Sequence, residues 1–145
     1  MKSPTRGSSF VRTGIALLAG AIFFAAPSLR AEDAAGGDQV TPVFQSQLAN
    51  LRGQSLTAVV VTYAPGGRSV SHRHAGSVFA YVLSGEIRSQ NSATGPARIY
   101  KVGESFFEPA GSAHLISENA STTEPASLLA IFVAEDKARL TVFDK

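Results

Sequence analysis

The sequence contains 3 histidines, and two of them, His72 and His74, flank a single arginine. Successive side chains of a β-strand point to opposite faces, so this pair shares one face and can close on a single metal ion. The third, His114, follows the loop Pro109-Ala110-Gly111-Ser112. Three neutral imidazoles suit a divalent metal, and ligand type alone does not choose among Fe, Mn, Ni, Cu and Zn. Three protein ligands also leave coordination positions open, as catalytic sites do and closed structural sites do not. Glu108 is the candidate catalytic carboxylate. Beside a metal it can act as general base or fill a coordination position; otherwise it is a rim residue paired with Arg73 or Arg98.

The elements that must position these groups read as strands. Ser55–Tyr63 is rich in β-branched residues and ends at the turn Ala64-Pro65-Gly66-Gly67. The apolar run from Ser77 to Gln90 bends at Ser84-Gly85, which predicts two strands. Short strands are expected at 98–102, 105–108 and 115–116, a continuous apolar strand at 128–133 and an edge strand at 140–143. Only Phe44–Leu51 has the composition for a turn or two of helix. Many short strands separated by Gly/Pro turns predict an all-β sandwich or small barrel. By alternation with Val78, Phe79 and Tyr81 face outward, while Phe106 is a candidate pocket wall. An excess of outward apolar side chains predicts a homodimer.

Gly66, five residues, His72-x-His74 and then Gly85 resembles the first motif of the cupin family. Gly103, five residues, Pro109-x-Gly111-x-x-His114, with Asn119 soon after, resembles the second. The resemblance implies a double-stranded β-helix, the cupin jelly-roll barrel, in one domain at residues 41–145, with His72, His74 and His114 as metal ligands. The family usually carries a glutamate ligand four residues after the second histidine, and here that position is Val78. A three-histidine face resembles the iron sites of some cupin dioxygenases. Without a carboxylate ligand the ion would keep its full charge and favour an anionic bidentate substrate. The resemblance thus implies an oxygenase acting on a small oxygen-chelating molecule. A non-catalytic ligand- or metal-binding cupin and a metal-assisted isomerase or lyase are the alternatives, because a fold does not choose a function.

Residues 1–31 read differently. Lys2, Arg6 and Arg12 precede the apolar run Thr13–Ala26, and Pro27 closes it. That is the layout of a secretory signal peptide, too short for a membrane span of about 20 apolar residues. Cleavage after Ala31 or Ala26 predicts a periplasmic or secreted protein with no stable membrane span, and residues 32–40 read as a flexible tail. The full chain has 13 basic and 11 acidic residues; beyond residue 31 the count is 9 against 11, a net charge of −2. No basic cluster remains there, which excludes nucleic acid as an expected partner and leaves a small-molecule ligand. With 0 cysteines, no disulfide can staple the domain.

Overall fold

The computed structural model describes residues 37–145; the signal peptide expected at 1–31 lies outside the described residues. Ten strands follow in order: β1 (Asp38–Gln47), β2 (Gln54–Tyr63), β3 (His72–His74), β4 (Ser77–Ser84), β5 (Glu86–Asn91), β6 (Arg98–Lys101), β7 (Ser105–Glu108), β8 (Ala113–Asn119), β9 (Ala126–Glu135) and β10 (Thr141–Phe143). They form two five-stranded antiparallel sheets. The first is ordered β1-β2-β9-β4-β7 and the second β10-β3-β8-β5-β6. This is the expected all-β jelly roll. Among the described residues no helix is long and apolar enough to cross a membrane.

The longest ladder explains the apolar run at 128–133. β9 pairs with β2 along ten residues and with β4 on its other side, so it sits in the middle of the first sheet. Its inward residues Ala126, Leu128, Ala130, Phe132 and Ala134 are buried. Both neighbours half-cover its outward residues Leu129, Ile131 and Val133. The inward phase of β4 adds Val78, Ala80 and Val82, and Ile87 of β5 closes the cluster from the second sheet. Phe79 and Tyr81 face outward, as alternation predicts, and are 43% and 39% exposed.

The chain changes sheets at Gly85. Its φ is +66°, in the left-handed region that favours glycine, and a Cβ there would stand 2.7 Å from the Cβ of Ala126. β4 can therefore end in one sheet and β5 begin in the other with no residue between them but this one.

One element departs from expectation. The stretch expected as tail to residue 40 and as a helical turn over 44–51 is strand β1 from Asp38 to Gln47. β2 offers a ten-residue edge, and β1 satisfies it from Asp38 opposite Tyr63 to Gln47 opposite Ser55. A register shift between Pro42 and Phe44 accommodates the proline, which has no N–H to give the ladder. Only then does the chain turn, through Leu51 N–H donating to Leu48 O at 3.0 Å.

Candidate metal centre

The second sheet carries the nitrogen donors. His72 and His74 lie on the inward phase of β3, with the exposed Arg73 between them. His72 is paired directly with His114 of β8 across the ladder. His114 arrives there through a local irregularity. Inward Ser117 and Asn119 would by strict alternation turn His114 outward. The register between β5 and β8 shifts, with Gln90 opposite Ile116 but Asn91 opposite His114, so Leu115 is an extra residue. Leu115 bulges to solvent at 46% exposure and His114 swings inward.

All three rings are buried, and one donor nitrogen from each lies within 4.8 Å of the others. Ring centroids are 4.7 Å apart for His72 and His74 and 5.0 Å for His72 and His114. Backbone carbonyls fix two of the tautomers, since a carbonyl can only accept. His72 Nδ1 donates to Val70 O at 2.6 Å and His74 Nδ1 to Leu140 O at 3.1 Å, so each leaves a lone pair on Nε2. His114 is turned the other way. Its Nε2 is held by Ser89 Oγ at 2.9 Å, and its buried Nδ1 has no aligned hydrogen-bond partner among the described residues. Burial pushes His72 below its usual range and His74 down to about 4. Both are therefore neutral at pH 7, the form that ligates a metal.

The first sheet supplies the carboxylate. Val78 of β4 is buried where the family pattern usually has a glutamate, and its direct partner across the ladder is Glu108 of β7. Glu108 Oε2 lies 3.0 Å from His114 Nδ1 and 4.0 Å from His74 Nε2. The shorter contact is close but not aligned as a hydrogen bond, while Asn91 Nδ2 donates to the same oxygen at 3.2 Å. Burial pushes the Glu108 pKa up, but His114, His74 and Asn91 together outweigh it and hold the carboxyl below its usual range. Val78 is thus an apolar wall of the pocket, yet the pocket is not free of carboxylate: the neighbouring strand provides one.

This donor set fits a divalent metal. Burying a carboxylate is unfavourable by several kcal/mol unless a positive charge joins it. The unaligned Nδ1 of His114 and the free Nε2 of His74 lie nearest that same carboxylate. The alternative of a rim glutamate fails, because Arg73 pairs with Asp144 at 3.5 Å and Arg98 stacks over Tyr100. Phe106 is a wall of the adjoining cavity, as expected, and so are Val78 and Phe132.

Residues 59–132 match the cupin domain family. The chain is a cupin. Among solved structures it is similar to an RmlC-like cupin from Shewanella frigidimarina, at 22% identity over 74% of this chain and 86% of that one, with a TM-score of 0.57. An oxalate oxidase in complex with glycolate is similar at 22% identity, over 87% of this cupin and 65% of the enzyme, with a TM-score of 0.58. An oxalate decarboxylase is similar at 26% identity and a TM-score of 0.57, and this cupin spans 28% of that chain and matches it over 74% of its own. No curated protein matches the chain in sequence.

Sequence reasoning missed Ser89 and Asn91. Their signal was available: with Ile87 they form a period-2 set on β5, so two polar side chains occupy the inward phase. Asn119, at the end of β8, ties down the loop that follows that strand. It does so by donating Nδ2 to Glu124 O at 2.7 Å and to Ala64 O at 3.1 Å.

Proposed function

We propose that this cupin is an exported metal-dependent oxygenase acting on a small oxygen-chelating substrate, with His72, His74 and His114 as ligands and Glu108 as the catalytic carboxylate. Val78 carries the reading. A valine where a fourth ligand belongs leaves coordination positions on its side of the triad to a substrate. When bound, a redox-active metal supplies an anchor for two substrate oxygens and activation of O₂.

The chain's own residues do the rest. Val70 O and Leu140 O aim the rings of His72 and His74, and Ser89 aims that of His114. Glu108, ionised and oriented by Asn91, can take a proton from a substrate C–H or O–H at Oε2. Phe106, Phe132 and Val78 keep water from the reacting end. The cavity beside the histidines, of about 100 Å³, suits a small substrate. The basic leader and apolar run of residues 1–31 support a periplasmic or secreted location. Phe79, Tyr81 and the 51%-exposed Phe107 together on the outer face of the first sheet support a homodimer.

The position of Glu108 favours a second reading, a lyase or isomerase in which that carboxylate moves the proton and O₂ takes no part. Metal analysis of protein purified from its native compartment, with O₂ uptake measured on small diketones and hydroxy acids, separates the two. Iron or copper with O₂ uptake is expected, and Glu108→Gln is expected to lower turnover at least a hundredfold. Zinc with turnover that ignores O₂ would establish the lyase or isomerase. Binding with the ligand released unchanged would leave a non-catalytic binding protein.

A further inference from the structure

The cavity beside the histidines has a second polar end. Asp38 of β1, Tyr63 of β2, Ser69 and Ser117 of β8 line the same cavity as His72, His74, His114 and Glu108. Their hydrogen bonds form a chain whose direction can be worked out. Ser69 Oγ donates to Asp38 Oδ2 at 2.5 Å, and a hydroxyl has one proton to give. Across its 3.1 Å contact with Tyr63 OH, Ser69 must therefore accept. Tyr63 in turn must accept from Ser117 Oγ, 2.7 Å away. Burial pushes the Tyr63 phenol up to about 12, so its proton is present at any working pH. Every hydroxyl thus points its proton toward Asp38, which strengthens the chain and holds the carboxylate in one orientation.

The other oxygen of that carboxylate has no such partner. Asp38 Oδ1 is buried and accepts no hydrogen bond among the described residues. A buried carboxylate oxygen left unsatisfied is unfavourable, and a donor carried in by a ligand removes the penalty. Between the two polar ends the wall is apolar, with Val40, Val61, Leu128 and Ala130.

We infer that Asp38 is the specificity-determining residue of this pocket and that the substrate carries a hydrogen-bond donor, an ammonium or a hydroxyl, at the end opposite its chelating oxygens. The inference rests on the proposed function in that the histidine end holds the chelating head. It narrows the substrate class to short amino- or hydroxy-substituted chelators. Simple dicarboxylates are disfavoured, because a second carboxylate would face Asp38 charge to charge.

Three hydroxamates of equal size test this: glycine hydroxamate, glycolohydroxamate and propionohydroxamate. They share one chelating head and end in ammonium, hydroxyl and methyl. Their binding to the cobalt-loaded protein is read from the visible absorption bands of the metal. Glycine hydroxamate is expected to bind about tenfold or more tightly than propionohydroxamate, with glycolohydroxamate between them. Asp38→Asn should erase the ammonium preference and leave propionohydroxamate binding unchanged. Ser69→Ala, which frees Asp38 to rotate, should reduce the preference without erasing it. Equal binding of all three, or a preference that survives Asp38→Asn, overturns the role of Asp38 and leaves the metal centre standing. Protein that takes up cobalt while its bands ignore all three ligands overturns both.

Discussion

The inner faces of the two sheets are built from different chemistry. The first sheet presents Val78, Ala80, Val82, Leu128, Ala130 and Phe132, nearly all hydrocarbon. The second presents His72, His74, Ser89, Asn91, His114, Ser117 and Asn119, each buried. Apolar burial is non-directional and tolerates any side chain of the right volume, so the first sheet can supply stability. Buried polar groups need partners at fixed angles, so the second must be ordered by hydrogen bonds before it can do anything. Stability and the candidate site are thus divided between two layers, with Glu108 the carboxylate that the first sheet brings within 3.0 Å of a histidine.

Three perturbations bear on that division. The largest effect is expected from His72→Ala. Metal affinity should fall by a hundredfold or more in a chelator-competition titration, while the metal-free variant melts within a few degrees of the parent. Loss of folding in the metal-free variant would show that the second sheet carries stability after all.

Acid comes next. Burial lowers His72 and brings His74 from 6.5 to about 4, so the unfolded chain binds protons across that window and the folded chain does not. The stability these rings contribute is present above pH 6.5 and lost as pH falls toward 4. For His74 alone the loss approaches about 3 kcal/mol. Denaturant unfolding of metal-free protein at pH 7 and pH 4.5 measures it, and His74→Ala should flatten the difference. A stability that does not change over this range would mean the rings are not buried as described.

Val82→Ala probes the other layer. Val82 is 0% exposed and lies off the cavity, and removing two methyl equivalents from it costs about 2 kcal/mol. Metal affinity should not change. A parallel drop in affinity would show that the two layers are coupled.

The sequence made much of this legible. Period-2 runs and Gly/Pro turns located nine of the ten strands, because inward and outward phases differ in hydrophobicity at places such as Val78 to Tyr81. β1 stayed hidden because its residues are mostly exposed and polar; the edge of β2, not its own pattern, makes it a strand. The three histidines could be grouped from spacing and motif. The partnership of Val78 with Glu108 could not, because cross-strand register is a property of two segments far apart in sequence. Asp38 fell in a stretch read as tail, so its cavity end was invisible until the strand was paired.

The bulge at Leu115 also sets a rule for transplanting the site. Copying His72, His74 and His114 onto another sheet would reproduce the residue types and the spacing, and the third ring would still point the wrong way. What must be grafted is the even spacing, two residues between the histidine and the inward serine that follows it, with one of them bulged out of the ladder. Deleting Leu115 is accordingly a one-residue edit that removes the bulge and returns the strand to strict alternation with His114 still on the face of Ser117.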